Sequence, residues 1–445
     1  MSDLHPYPEA FVEQMKNLLP QEFDSFIQSL NGASPTSVRI NPAKPTNKFA
    51  AEEPVSWCSH AKYLHQRPSF TFDPLFHAGA YYVQEASSMF LEEVWKQLNL
   101  GNKPLKVLDL CAAPGGKSTH LLSLMNAESL LVTNELIANR NKILQQNIIK
   151  WGNANCIITQ NKPEDFAGLE NYFDVILVDA PCSGEGLFRK DKDAINEWSE
   201  KNVAMCAARQ KDILKNVSAC LKPGGFLIYS TCTYEPVEND DNIALAADYG
   251  LQSYALNSSQ YPGIVQTKYG FQFYPHRVKG EGFYIAVMQK DGAAHTYLNP
   301  LPNKTPQPVS KPIQAYLQQP ENFTEFKKND FIFAMPVWMM SDFAILEKRL
   351  YIRNAGILAG VMKGHDFLPS HDLALSNHIN KDVPSVELSE EDAITYLRCE
   401  TPKINSDLRG WCLATHQHLN LGWMKLMPGR LNNYFPKDWR ILKRG

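Results

Sequence analysis

Residues 106–117 read Lys106-Val107-Leu108-Asp109-Leu110-Cys111-Ala112-Ala113-Pro114-Gly115-Gly116-Lys117. A strand-like apolar run reaches an acid, a turn of small residues follows, and a helix is predicted to open near Lys117. Gly115 and Gly116 let the backbone approach a ligand closely. A helix N-terminus at that point offers unpaired N–H groups. In open parallel sheets, ligands bind beyond the carboxyl ends of the strands. The next strand-like run leads to Glu135, about 20 residues after the second glycine, where an acid can accept the hydroxyls of a ribose. Gly116-Lys117-Ser118 is not the end of a phosphate loop. Cys111 or Ala112 stands where its first glycine is needed, so an ATPase is not expected.

Outward from this turn, strands are predicted over 106–110, 130–133, 156–159, 175–178 and 226–230. Helical stretches lie between them, at 137–151, stopping at Gly152, and at 194–221. The alternation predicts an α/β fold with a parallel sheet covered on both faces. Runs at 271–274 and 283–288 are predicted to close it as an antiparallel pair. Ahead of it, short helices at 11–19 and 23–30 and a strand at 37–42 suggest an α+β cap. A further helix is predicted over 85–98. Behind it, Pro300, Pro302, Pro306, Pro308, Pro312 and Pro320 mark a linker. Short strands follow at 330–338 and 357–361. Residues 410–426 alternate apolar positions and turn glycines, as in a small β-rich module. The expected division is 1–80 cap, 81–290 catalytic domain, 291–320 linker, 321–385 intermediate domain and 386–445 terminal module.

A hydrophobic content of 44 % against 20 % charged residues is that of a soluble globular protein. No run is long enough to cross a membrane and no secretory leader opens the chain, so a cytoplasmic protein is expected. The nine cysteines are scattered without a Cys-x-x-Cys pair, so neither a disulfide framework nor a metal site is expected. The net charge of −3 excludes a uniformly basic nucleic-acid binder. Residues 401–445, however, carry eight Lys and Arg against two Asp, a patch suited to a polyanion or to a plain solvated surface.

Two cysteines stand apart from the rest. Cys182, in Asp179-Ala180-Pro181-Cys182-Ser183-Gly184, and Cys232, in Ser230-Thr231-Cys232-Thr233, each follow a predicted strand end in a polar setting. In a parallel sheet both thiols reach the edge that carries the glycine turn. A thiol activated there by donors or by a cation becomes a nucleophile, with Lys117, Arg189 and Lys190 as candidate cations. Taken singly, either cysteine is more often inert; taken as a pair, the rival is a redox disulfide, which a reducing cytosol disfavours. Asp179 can reach a ring nitrogen of a bound base, or merely cap a turn.

Together these stretches resemble the RNA 5-methylcytosine methyltransferases of the Sun/Nop-related family. The resemblance is carried by the turn at 109–117, by Asp179 to Gly186 and by Ser230 to Tyr234. It extends to His77-Ala78-Gly79-Ala80-Tyr81-Tyr82-Val83-Gln84-Glu85-Ala86-Ser87-Ser88-Met89, and to Pro275-His276-Arg277 with Gly280-Glu281-Gly282-Phe283. The pieces at 421–425 and 432–437 resemble the PUA-like RNA-binding module of the bacterial F-type small-subunit ribosomal RNA enzymes. The resemblance implies a Rossmann-like sheet that binds S-adenosyl-L-methionine through Cys111, Ala112, Ala113, Pro114, Gly115, Gly116, Lys117, Glu135 and Asp179. At the third strand end the family usually has an acid facing the adenine; Asn161 stands there, and an amide can also pair with that edge. The resemblance further implies that Cys232 adds to C6 of a cytosine, that Asp179 hydrogen-bonds the ring, and that Cys182 assists release. The implied partner is ribosomal RNA or the small ribosomal subunit, not DNA and not a membrane. A transfer RNA substrate, or an assembly factor with dispensable catalysis, are the alternatives. The target cytosine must be unpaired or flipped out. Trp411, Trp423, Tyr434, Phe435 and Trp439 among lysines and arginines suit RNA, although Trp411 and Trp423 suit a module core equally.

Overall fold

The computed structural model describes residues 6–292 and 305–443. Its centre is a ten-stranded sheet. The strands that build the site are β1 (Lys106–Asp109), β2 (Leu130–Asn134), β3 (Cys156–Thr159), β4 (Phe173–Asp179) and β5 (Leu221–Thr231). They run parallel in the order β3-β2-β1-β4-β5. Beyond β5 come β6 (Gly270–Phe273) and β7 (Phe283–Lys290), paired antiparallel as expected. The strand order reverses between β1 and β4, and in open α/β sheets the ligand crevice lies at the carboxyl ends of the strands at such a reversal.

Alternate side chains of these strands enter two different cores, as a sheet buried on both faces requires. Val107, Leu131, Ile158, Val175 and Ile228 point one way. Leu108, Val132, Ile157, Ile176 and Val178 point the other. Between strands run α1 (Gly116–Leu124), α2 (Ala138–Trp151) and α3 (Glu200–Ser218). Helix α2 stops where expected, at Gly152 with φ 94°. The single helix expected over 194–221 is instead broken. Lys192–Glu197 is a separate helix, Trp198 turns inward to donate to Glu185 (2.5 Å), and Ser199 caps α3 through the Asn202 N–H (3.2 Å). The helix expected over 85–98 is likewise a 3₁₀ turn, Ser87–Phe90, followed by the α-helix Leu91–Gln97.

The cap does contain helices Glu9–Leu18 and Phe23–Leu30 and the strand Thr36–Ile40. It extends past the expected boundary at residue 80, because Tyr81–Val83 pairs with Thr36–Ile40. Nor does it have a core of its own throughout. Trp57 and Tyr63 lie in one apolar cluster with Val107 and Leu131 of the catalytic sheet.

Two further expectations need correction. Residues 293–304, with Pro300 and Pro302, fall outside the described residues, but from residue 305 the proline-rich segment is packed rather than a free linker: Val309, Ile313 and Leu317 are buried with Phe323 and Trp423. The intermediate stretch 321–385 forms a four-stranded sheet of its own, yet it also lends β8 (Ile352–Ala355) to the catalytic sheet, antiparallel to β3. Its Met335, Phe343 and Leu346 join the core on that face. The terminal module is β-rich, with Gly410–His416, Leu419–Met427 and Arg430–Asn433 antiparallel and Ser385–Glu387 parallel to the first of them. Among the described residues no helix is long and apolar enough to cross a membrane.

Candidate active site

Strand β1 delivers Asp109 to the crevice, and a turn with a cis Ala113–Pro114 bond and Gly115 at φ 108° leads into α1. Only glycine holds that φ without strain. Asp109 is fully buried. Its Oδ2 accepts from the Ser118 hydroxyl at 2.6 Å, while Oδ1 has no partner among the described residues. Burial pushes its carboxyl up to about 7, although the Ser118 hydrogen bond opposes the rise. Cys111, beside it, has its thiol raised by burial and then by the charge of Asp109, so it is a wall of the turn rather than a nucleophile.

Glu135 directly follows the last residue of strand β2. One oxygen accepts from the Ile137 N–H at 2.8 Å; the other faces Arg140 at 3.5 Å, beyond a good hydrogen bond, and so keeps its acceptor capacity. A spare carboxylate oxygen at the second strand end, the unpaired Oδ1 of Asp109 and the free first-turn N–H groups of α1 are what a nucleoside cofactor needs. The residues present fit S-adenosylmethionine.

Strands β4 and β5 place the chemistry. The register sets Asp179 opposite Ser230. The Ser230 hydroxyl donates to Asp179 Oδ1 at 2.7 Å and Lys117 Nζ lies 2.8 Å from Oδ2. Lys117 is the cation at the site. Burial disfavours its charge, but Asp179 and then Asp109 hold its pKa above the ordinary value, and it also senses Cys232. The other two candidate cations are elsewhere: Arg189 is 3.0 Å from Glu281, and Lys190 is exposed.

Cys182 and Cys232 meet with their sulfurs 2.9 Å apart, both as free thiols, and the Cys232 N–H points at Cys182 Sγ (3.2 Å). The hydrogen bond with Cys232, then burial, raise the Cys182 pKa well above that of a free thiol, so Cys182 keeps its proton. The two sulfurs are in contact but not bonded, since bonded sulfurs stand about 2.05 Å apart.

Asn161 departs from its expected role. Its Oδ1 accepts from the Tyr351 N–H (2.9 Å) and its Nδ2 donates to the Tyr351 carbonyl (3.2 Å). The amide is spent on the chain that leads into β8, not turned to an adenine.

Sequence reasoning missed the layer behind the thiols. Ser183 donates through its N–H to Glu238 (3.2 Å), which also accepts from Gln210 (2.6 Å), and the buried Glu238 is pushed up to about 7 by burial, with Glu185 adding to the rise. It also missed Arg39. This buried guanidinium reaches from the cap to the Gly116 carbonyl (3.1 Å) and the Thr119 hydroxyl (2.6 Å), and lies over the Trp151 ring. Nothing local distinguishes these residues; only the fold brings them to the site.

A doubly covered parallel sheet, a glycine turn, an acid at the second strand end and a carboxylate with two thiols at the fourth and fifth define an S-adenosylmethionine-dependent methyltransferase. The family description "16S rRNA methyltransferase RsmB/F" matches residues 96–289. Those of the N-terminal and PUA domains of methyltransferase RsmF match 7–86 and 383–441. The ribosomal RNA small subunit methyltransferase F of Cronobacter sakazakii is 30 % identical, over 97 % of this chain and 96 % of its own. That of Escherichia coli O127:H6 is 29 % identical over the same shares. Among solved structures, a methyltransferase homologue from Pyrococcus horikoshii superposes with a TM-score of 0.54 at 27 % identity, covering 64 % of this chain and 95 % of that one. NSun6 from Pyrococcus horikoshii, determined with SFG, shares the fold with a TM-score of 0.55 at 19 % identity, covering 65 % of this chain and all of that one. The chain belongs to the family of ribosomal RNA small subunit methyltransferases F.

Proposed function

We propose that this protein methylates C5 of a cytosine in small-subunit ribosomal RNA through a covalent adduct between Cys232 and C6. The observation that carries the reading is the meeting of Cys182 and Cys232 at 2.9 Å on the sheet edge that holds Asp179 and the glycine turn. S-adenosylmethionine, held by residues 111–117 and Glu135, supplies an electrophilic methyl group.

The Cys232 thiolate forms a bond to C6, and the ring electrons move toward C5. N3 takes up a proton from solvent as the ring gains electrons, and Asp179, oriented by Ser230 and Lys117, accepts a hydrogen bond from that N3–H and stabilises the electron-rich adduct. C5 takes the methyl group, a base removes the C5 proton, and the electrons return to expel sulfur. Cys182, which holds its proton beside Cys232, assists that release. The basic terminal module supports an RNA substrate. There Trp411 is half-buried against Tyr434 (4.4 Å between rings) with Lys425 over it, whereas Trp423 is core and donates to the Ser370 carbonyl. Ribosomal RNA or the small ribosomal subunit, in the cytoplasm, is the proposed partner.

Cys232→Ala is expected to abolish methyl transfer, and Cys182→Ala to accumulate a protein–RNA adduct that survives denaturing electrophoresis. Normal turnover by Cys182→Ala, together with activity in Cys232→Ala, would overturn the roles. Bisulfite sequencing of total RNA with and without the protein identifies the modified cytosine.

A further inference from the structure

The described residues bring together a second cluster, far from the thiol pair in chemistry and unused by the mechanism. Cys58 lies in the cap turn before the strand Ala61–Leu64, Glu92 on the helix Leu91–Gln97 and His120 on α1. Each is at most 3 % exposed. Glu92 Oε2 is 3.1 Å from Cys58 Sγ and 3.3 Å from His120 Nε2, and that nitrogen is 3.7 Å from the sulfur.

We propose that Cys58, Glu92 and His120 form a structural site for a divalent transition metal, zinc by preference. Zinc bonds of about 2.3 Å to sulfur and about 2.0–2.1 Å to nitrogen and oxygen, arranged tetrahedrally, put neighbouring ligand atoms about 3.3–3.6 Å apart. The two separations at His120 Nε2, 3.3 and 3.7 Å, fall close to that range, while the 3.1 Å between Cys58 Sγ and Glu92 Oε2 must open by about 0.4 Å to admit the ion. Without the ion, Cys58 and His120 both donate to Glu92 Oε2, whose two lone pairs accept them. A sulfur, nitrogen and oxygen set suits zinc rather than calcium or magnesium.

The surroundings hold the ligands in place. Glu92 Oε1 is occupied by the Ser59 N–H (3.0 Å), the Ser59 hydroxyl (2.5 Å) and Lys96 Nζ (2.7 Å), which leaves Oε2 facing the other two ligands. His120 Nδ1 has no partner among the described residues, so the ring can hold its proton there and present a bare Nε2. Binding sends the Cys58 proton to solvent and moves the ring proton from Nε2 to Nδ1. The charges of the thiolate and carboxylate then balance the ion. The site would staple the cap to the helix that opens at the cofactor turn. Its burial means that the ion enters as the cap docks.

The full-length chain, expressed without a histidine tag in zinc-supplemented medium, is expected to carry about one zinc per chain by mass spectrometry of the metal. Titrating its thiols with an organomercurial should release that zinc to a colorimetric chelator. Cobalt-grown protein should show a sulfur-to-cobalt band in the near ultraviolet that Cys58→Ser lacks. Folded protein with far less than one metal per chain, a melting temperature indifferent to zinc and prolonged chelation, and no sulfur-to-cobalt band would overturn the proposal. The metal content and the thiol titration need no variant, so they decide even where Cys58→Ser fails to fold.

Discussion

Glu238 shows how a residue outside the reacting atoms governs the site. It accepts from the Ser183 N–H, one residue beyond Cys182. Its folded-state pKa is raised to about 7, from 4.5, by burial and by Glu185. An acid with a raised pKa keeps its proton in the folded chain after the unfolded chain has lost it. Its contribution to stability is therefore full below about 4.5 and is lost as pH rises toward 7. Melting temperatures measured at pH 5.5 and 8.5 should differ less in Glu238→Gln than in the parent; an unchanged difference would remove Glu238 as the cause. Asn161 makes the opposite kind of point. Both its amide atoms hold Tyr351. Asn161→Ala should cost about 1–3 kcal/mol of stability, read from denaturant unfolding, with S-adenosylmethionine affinity little changed. A large loss of cofactor affinity in a stable variant would restore the adenine role.

Among the elements, the loops after β4 and β5 work as one unit. The Gly186 N–H donates to the Cys232 carbonyl at 2.8 Å. A Cβ on Gly186 would run into the Gly282 carbonyl and come within 2.7 Å of the Cys232 carbonyl oxygen. Gly186→Ala leaves both thiols in the chain but must part the loops that carry them. Overpacking of this kind costs about 1–3 kcal/mol, and an ångström of misplacement can cost about 100-fold in rate. Turnover should therefore fall by about that much while the protein still folds, which circular dichroism and single-turnover methylation would separate. Full activity in Gly186→Ala would show that the loops tolerate the shift. The break between the helices at 192–197 and 200–218 had one local sign, the capping residue Ser199, but nothing in Trp198 itself stops a helix. The tertiary hydrogen bond to Glu185 turns Trp198 inward.

For the whole molecule, the lesson is that sequence order and spatial order part company after residue 292. Strand β8 pairs with β3 across nearly two hundred residues, and Met335, Phe343 and Leu346 cover one face of the catalytic sheet. Lys44 adds a tie from the cap: its buried ammonium donates to the carbonyls of Ala78, Lys150 and Leu375 (3.1, 2.6 and 2.7 Å). A fragment ending at residue 292 would expose the edge of β3 and that apolar face, and exposed edges of this kind aggregate. It should be recovered largely in aggregates, or melt well below the full chain in differential scanning fluorimetry. A monomeric fragment as stable as the whole would refute the integration of the C-terminal half.

The chain by itself determined the parallel sheet, the cofactor turn, Glu135 as the second-strand acid and the pairing of two thiols with Asp179 at one edge. These rest on local periodicity and on residues next to strand ends, and a parallel sheet delivers strand ends to one place without further information. Only the tertiary structure decided that Lys117, and not Arg189 or Lys190, stands at Asp179, that Asn161 is spent on Tyr351, and that the intermediate stretch completes the catalytic sheet. The cluster of Cys58, Glu92 and His120 belongs with these. Such facts depend on which distant segments come within a few ångströms of one another, and short-range pattern carries no record of that.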